Sequence, residues 1–453
     1  TKPVGLLSSH PSHTMLGRFK KAAVVSDHGI CSDIGRSILT RGGNAVDAAI
    51  ATLFCVGVTN PQSSGIGGGF FMQVHQKEKG VCTTINARET APQGIDVDVY
   101  KRNPEHTAYG WKSIAVPGEI KGFWRAYTDF GSGKVKWAEL LEPTIKLCHD
   151  GIPVSEYLAN ILQKDKDKVS RNNEIRVMLT NPATNQFYKE GEIMHRPNLA
   201  KTLERLAESD DPVELFYKGD MAHTIVEEIQ EGGGFIDLND LEDFEPSVKD
   251  GVTSEITDTI TQCGPPPPSS WIVTQLIVKI MEELYPAPRN KEDLDSVLFY
   301  HRLIEAEKFA YAQRTKLGDP YYVKGMDEKI RELTDPATAK AFAAKIKDDG
   351  PLAKEAYAAE GFVKEDHGTS HVSVIDEQGN AVAVTSTVNL LLGSMVASSL
   401  GIIWNDQMDD FSVEGEVNAF GFAASPSNLM KAGKTPMSSM SPTIIYDKAN
   451  NQV

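Results

Sequence analysis

Near its C-terminal end the chain carries two runs rich in valine and threonine, Thr369 to Ile375 and Ala381 to Asn389, and no other feature limits its fold more. Between them, Asp376-Glu377-Gln378-Gly379-Asn380 has the composition of a turn, so the spacing predicts a β-hairpin. If Ile375 pairs with Ala381, counting back along both strands brings Thr369 directly opposite Thr387. Side chains alternate along a strand, so Thr369, His371 and Ser373 share one face, as do Thr387 and Asn389 on the partner. Two hydroxyls and an amide therefore meet at the end of the hairpin. His371 invites a pair with Thr369, but sharing a face does not make two side chains meet, and a satisfied structural histidine is the favoured reading.

The 453-residue chain has room for one large core or several ordinary domains. Apolar residues make up 40% and charged residues 24%, as in soluble globular proteins. A formal charge of −16 argues against nucleic acid or an anionic membrane as the main partner. The uncharged stretch from Gln378 to Asn405 contains Asn389, Ser394, Ser398 and Ser399, and suits a buried sheet and loops better than lipid. The chain begins at Thr1 rather than Met, which fits removal of a targeting segment. None of the cysteines, Cys31, Cys55, Cys82, Cys148 and Cys263, forms a Cys-x-x-Cys pair, so neither a zinc ribbon nor a thioredoxin-type site is expected. Their odd number leaves at least one thiol free or paired outside the chain. No metal site or organic cofactor is indicated.

Ser32 and Asp33 are candidate caps of a helix ending at Gly42-Gly43. Asn44 starts another, whose Ala48, Ala49, Ile50, Leu53 and Phe54 predict one apolar face. Pro61 to Gly69 reads as a turn-rich loop and Phe70 to His75 as a strand. From about Glu119 to Glu365 the pattern is mostly helical, for example over Trp137–Cys148 and Trp271–Leu284. Lys164 to Lys168 alternates charges as a solvated helix face does. Pro265–Pro268 reads as an extended approach to the helix after Ser269 and Ser270. Gly65-Ile66-Gly67-Gly68-Gly69-Phe70 imitates a dinucleotide fingerprint, but Phe70 replaces the third glycine and a strand follows instead of a helix. Gly433-Lys434-Thr435 imitates the end of a phosphate loop, but Asn428 stands where the earlier glycine belongs. Nucleotide binding is set aside.

Asp366-His367-Gly368-Thr369-Ser370-His371-Val372-Ser373-Val374 resembles the processing site of gamma-glutamyltransferases (glutathione hydrolases). Thr385-Ser386-Thr387-Val388-Asn389, Asn405-Asp406-Gln407-Met408-Asp409-Asp410-Phe411-Ser412 and Pro436-Met437-Ser438-Ser439-Met440-Ser441-Pro442-Thr443 follow in that family's order. Upstream, Gly42-Gly43-Asn44-Ala45-Val46-Asp47-Ala48-Ala49, Gly65-Ile66-Gly67-Gly68-Gly69, Asn86-Ala87-Arg88-Glu89 and Val116-Pro117-Gly118-Glu119 match too. The ordered set is specific and covers essentially the whole chain. The resemblance implies an α/β (α+β) fold, the four-layer αββα N-terminal-nucleophile hydrolase, in which two packed sheets lie between layers of helices. It further implies self-cleavage between Gly368 and Thr369 into a large subunit, 1–368, and a small subunit, 369–453, that stay together as one unit. Thr369 then carries both a free α-amine and a hydroxyl. An unprotonated amine of reference pKa about 8 is a reasonable base for a weakly nucleophilic hydroxyl, so cleavage would be activation.

By the same resemblance Thr369 attacks the γ-glutamyl carbonyl and Thr387 hydrogen-bonds the nucleophile. Arg88 grips the substrate α-carboxylate, as its planar fork suits, with help from Ser438 and Ser439. Asn389, Gln407 and Asp410 receive the α-ammonium group, so that Arg88 and Asp410 supply a cation and an anion held apart. Taken singly, Arg88 could be a surface ion pair, Asp410 a helix cap and Ser438-Ser439 a turn; the ordered set favours the functional roles. The implied substrates are glutathione and related compounds, with water or an amino acid or dipeptide as acceptor. Cys31 and Cys55 match a disulfide of animal relatives, which implies an extracellular setting or the outer face of the plasma membrane; two buried thiols on packed helices is the alternative. Past Val453 the family continues with a return strand and a Gly-Gly pair forming the oxyanion hole, so the resemblance implies a C-terminally incomplete small subunit that is poorly active as written. Two other functions remain open at this level: a glutaryl-type acylase, and a truncated secreted homologue that binds without turnover.

Overall fold

Strand-forming runs that lie far apart in the chain meet in two antiparallel sheets. In the computed structural model, which describes residues 19–357, 368–413 and 424–453, the strands of these two sheets are β1 (Ala23–Val25), β2 (Gly69–Gln76), β3 (Val81–Asn86), β4 (Ser247–Asp250), β5 (Val252–Glu255), β6 (Ile260–Gly264), β7 (Thr369–Ile375), β8 (Ala381–Thr387) and β9 (Ile444–Asp447). The larger sheet runs β1-β7-β8-β2-β3-β4 and the smaller β9-β6-β5. Asp366 and His367 of the processing-site segment lie outside the described residues.

The β7–β8 register is the one the turn predicts: Ile375 faces Ala381 and Thr369 faces Thr387. Asp376 fixes the turn by accepting from Gln378 N at 3.0 Å and Asn380 N at 2.9 Å. Its other oxygen accepts from Ala45 N at 3.1 Å, so the hairpin turn is tied to the start of a helix.

That helix, α2 (Ala45–Thr59), follows α1 (Gly29–Thr40). Asn44 caps it, accepting from Val46 N and Asp47 N, with Asp47 completing a reciprocal capping box. The predicted single apolar face is too narrow a description, because every residue of α2 is buried. The helix lies under the sheet and among α1, α3 (Glu119–Phe130) and α4 (Trp137–Asp150), and a sequence apolar all round suits such a place. The start of α1 also corrects the sequence expectation. It begins at Gly29, so Ser32 and Asp33 lie inside it; they bond Ser26 and Arg36 instead of capping.

One face of the larger sheet packs Phe70, Met72, Val74, Val372, Val374, Val382 and Val384 against these helices and α5 (Pro197–Glu208). The opposite face sets Cys82, Ala381 and Ala383 against Cys263 and Ile444 of the smaller sheet. Beyond the smaller sheet, Val252 packs on a second core built by α6 (Trp271–Leu284), α7 (Val297–Arg314), α8 (Met326–Thr334) and α9 (Pro336–Ala343). The layers are therefore helix, sheet, sheet, helix, as the αββα reading implies. The strands over Ser247–Gly264 were not anticipated in a stretch that otherwise reads as helical.

Cys31 and Cys55 form a disulfide between α1 and α2, and an unanticipated second one, Cys82–Cys263, joins the two sheets. Cys148 is free and buried. The proline run leads into α6 as expected: Ser269 Oγ donates to Pro265 O at 2.7 Å and accepts from Trp271 N at 3.2 Å. His371 bonds Thr385 at 2.8 Å and Ser373 at 3.0 Å rather than Thr369, in keeping with a structural role.

Candidate active site

Thr369 and Thr387 lie on the sheet face that looks toward the smaller sheet. Thr369 Oγ1 donates to Thr387 Oγ1 at 3.3 Å. Thr387 Oγ1 donates its own hydrogen to Gly368 O at 3.1 Å and accepts from Asn389 N at 2.8 Å. The chain runs unbroken from Gly368 into Thr369, so the nitrogen of Thr369 is here an amide. Gly368 has φ +97°, a backbone region that favours glycine.

The glycine run earlier in the chain explains how the end of β8 is held. A Cβ on Gly68 would lie 2.0 Å from the Thr387 carbonyl oxygen, and one on Gly67 would lie 2.2 Å from that of Ile403. The absence of side chains is thus a packing requirement, unrelated to phosphate. Gly68 O in turn accepts from Gly118 N at 3.0 Å and Glu119 N at 3.1 Å, which draws in the start of α3.

Asn405 anchors the acidic turn. Its amide donates to Gly67 O at 2.8 Å and Ala115 O at 2.9 Å, and its oxygen accepts from Gln407 N at 3.0 Å. The short 3-10 turn Gln407–Asp410 follows. Gln407 Nε2 donates to Asp410 Oδ2 at 2.7 Å. Arg88, 2% exposed, donates to the same Asp410 oxygen, to Pro436 O at 2.9 Å and to Met437 O at 3.0 Å. Arg88 and Asp410 are therefore in direct contact instead of held apart as expected. Two opposite charges taken out of water are stabilised by pairing, and either alone would be costly. Burial raises the Asp410 carboxyl above its ordinary value, and Arg88 opposes the rise.

Asn389, at φ +79°, donates from its side chain to Asp406 O at 3.1 Å. Ser438 is buried and Ser439 exposed. Ser438 N donates to Pro268 O at 2.8 Å, and its Oγ accepts from Met440 N at 3.0 Å, so the proline run helps shape this turn.

All eight expected catalytic and substrate-contacting residues, Thr369, Thr387, Arg88, Asn389, Gln407, Asp410, Ser438 and Ser439, line one cavity of about 200 Å³, together with Thr385, Met440 and Ser441. Two buried polar atoms of that set, Arg88 Nη1 and Gln407 Oε1, have no hydrogen-bond partner among the described residues. Cys31 and Cys55 are elsewhere, on the helical side of the sheet.

Two further carboxylates, Glu89 and Glu119, whose roles the sequence pattern does not single out, are buried near the cavity. Glu119 accepts from Ser386 Oγ at 3.0 Å, and Ser386 also bonds Ser64 at 2.7 Å. Glu89 is fully buried, and neither of its side-chain oxygens has a hydrogen-bond partner among the described residues. Burial pushes Glu89 up to about 8 and raises Glu119 well above the usual carboxylate range. Both stand in the segments that carry the resemblance, which was the available signal.

Comparison with known proteins agrees with this geometry. A family model described as Gamma-glutamyltranspeptidase matches residues 31–453. The chain is similar to Scoloptoxin SSD14 of Scolopendra dehaani, at 36% identity over 98% of this chain and 76% of that protein. It is also similar to Glutathione hydrolase 2 of Arabidopsis thaliana, at 36% identity over 93% of this chain and 72% of that one. Among solved structures, gamma-glutamyltranspeptidase from Pseudomonas nitroreducens, complexed with L-DON, superposes with a TM-score of 0.67 at 30% identity, covering 76% of this chain and 99% of that one. Cephalosporin acylase from Bacillus halodurans gives a TM-score of 0.79 at 22% identity, over 99% of this chain and 79% of that one, a likeness of fold alone. The layered fold, the threonine pair and the family match over residues 31–453 have one common explanation: the chain belongs to the gamma-glutamyltranspeptidase family.

Proposed function

We propose that the chain is a self-processing γ-glutamyl hydrolase and transferase acting on glutathione and related compounds. The observation that carries this is the convergence of eight side chains from separate stretches of sequence on one small cavity, in which Arg88 Nη1 and Gln407 Oε1 are buried polar atoms still able to bond. A free donor on a cation beside a free acceptor next to a carboxylate suits a zwitterionic amino-acid head group. The α-carboxylate takes Arg88 Nη1 and the Ser438-Ser439 turn; the α-ammonium takes Gln407 Oε1 and Asp410, flanked by Asn389. The ion pair of Arg88 and Asp410 then serves both ends of the ligand.

Activation begins at Gly368. Thr387 donates to that carbonyl oxygen, so the bond it polarises is the one to be broken. Thr369 Oγ1 attacks the carbonyl carbon, the C–N bond breaks and leaves the Thr369 nitrogen as an amine, and water hydrolyses the resulting ester. The products are the large subunit, 1–368, and the small subunit, 369–453. In turnover the new amine takes the Thr369 hydroxyl proton, the hydroxyl oxygen attacks the γ-carbonyl, and the leaving amine departs with a proton. Water or the amine of an amino acid or dipeptide then receives the glutamyl group. Two disulfides support an extracellular or outer-surface location; among the described residues no helix is long and apolar enough to cross a membrane.

The test compares turnover of L-γ-glutamyl and glutaryl anilides by the full-length protein and by Thr369→Ala. The proposal expects the γ-glutamyl compound to be preferred and the variant to be inactive. Equal use of both donors would favour a glutaryl-type acylase, and turnover by Thr369→Ala would end the proposal.

A further inference from the structure

The turn that carries Ser438 and Ser439 is held from behind by an arginine on the far helical layer. Arg314 is the last residue of α7. Its Nε donates to Ser270 Oγ at 2.9 Å, and its Nη2 lies 3.5 Å from Ser439 Oγ. Ser270 Oγ donates to Ser438 O, and Ser270 N donates to Met440 O at 3.1 Å. One guanidinium thus reaches both sides of the serine turn, once directly and once through Ser270. Both serines line the cavity and Arg314 does not, so its positive charge stands behind the turn.

We infer that Arg314 is a positioning residue for the substrate α-carboxylate: it fixes the Ser438-Ser439 turn through Ser270 and Ser439 and adds a second positive charge, after Arg88, at the carboxylate end of the cavity. The inference rests on the γ-glutamyl reading above and extends it to a residue outside the cavity lining. The charge of Arg314 also acts on Asp410, whose ionised form it favours, which places both groups in one electrostatic neighbourhood. A guanidinium suits the role better than an ammonium, because its fixed fork can hold Ser270 and Ser439 at once.

The experiment measures kcat and KM for an L-γ-glutamyl anilide and for the 4-aminobutanoyl anilide, which lacks only the α-carboxylate. It uses the full-length protein, Arg314→Met and Arg314→Lys. Arg314→Met should raise KM for the γ-glutamyl donor by about tenfold or more, the scale of a lost charge-assisted contact. Its kcat should change far less, and kcat/KM for the 4-aminobutanoyl donor should be unchanged. Arg314→Lys should recover part of the loss. An unchanged KM, or an equal fall for both donors, would overturn the inference, the second result marking a merely structural role. If Arg314→Met does not fold, the same donor comparison in Arg314→Lys and Ser270→Ala decides: a loss confined to the carboxylate-bearing donor supports the inference, and an equal loss or none overturns it. Failure of the unsubstituted protein to turn over the γ-glutamyl donor would instead overturn the underlying reading, and the inference with it.

Discussion

Thr387 donates its hydroxyl hydrogen to the carbonyl oxygen of Gly368 at 3.1 Å. Thr387 Oγ1 itself accepts from Thr369 Oγ1 at 3.3 Å and from Asn389 N at 2.8 Å, so its own hydrogen has one assigned direction. The relationship places a hydrogen-bond donor on the carbonyl that precedes the proposed nucleophile, Thr369. Thr387→Ala should slow self-cleavage by about 100-fold, as loss of an oxyanion donor does in other hydrolases, whereas Thr387→Ser should process nearly normally. Following conversion to two fragments on denaturing gels checks this. Equal rates for Thr387→Ala and the unsubstituted protein would remove Thr387 from the cleavage step.

Arg88 offers Nε and Nη2 to Pro436 O, Met437 O and Asp410, and its Nη1 has no hydrogen-bond partner among the described residues. Lysine cannot supply that fork. Arg88→Lys is expected to raise KM for a γ-glutamyl donor by at least about tenfold, measured on protein that has already cleaved itself. An unchanged KM would argue that another group holds the carboxylate.

The fold places severe limits at Gly68 and few at Gly29. A side chain on Gly68 would collide with the Thr387 carbonyl oxygen, while nothing lies within 4 Å of a Cβ on Gly29. Gly68→Ala should destabilise by about 1–3 kcal/mol or more, the scale of overpacking, and Gly29→Ala should be neutral or slightly stabilising. Urea unfolding of both variants compares them directly. Similar midpoints would show that the end of β8 tolerates displacement.

These contrasts show what was legible in the sequence. The hairpin register followed from a five-residue turn and alternating strands, because local rules fix both. The eight cavity residues followed from the resemblance; neither composition nor periodicity brings Arg88 to Asp410 across the fold. The strands over Ser247–Gly264 were missed because they are short and interrupted by Gly251 and by the polar bend at Thr257–Thr259. The start of α1 was missed because Ser32 and Asp33 look like caps although they sit inside the helix. Arg314 and Ser270 had no readable signal at all, since they act only through contacts between elements distant in sequence.

Glu89 gives the protein a defined response to pH. Its folded-state value, pushed up to about 8 by burial, lies above the ordinary 4.5. The folded state therefore holds the proton more tightly than the unfolded state. The sign follows: this contribution to stability is fully present below about pH 4.5 and is lost as pH rises through about 8. Glu89→Gln keeps a neutral side chain of the same size and should flatten that decline. Thermal unfolding across this range should show the variant gaining on the unsubstituted protein as pH rises. Parallel profiles would mean that Glu89 does not titrate with folding.

The proposed function requires Thr369 to become an N-terminal nucleophile. An intact mass of the purified full-length protein, reduced and denatured, tests it most directly. Two polypeptides divided between Gly368 and Thr369 are expected, and one uncut polypeptide for Thr369→Ala. A single uncut chain in the unsubstituted protein, or cleavage at any other bond, would contradict it.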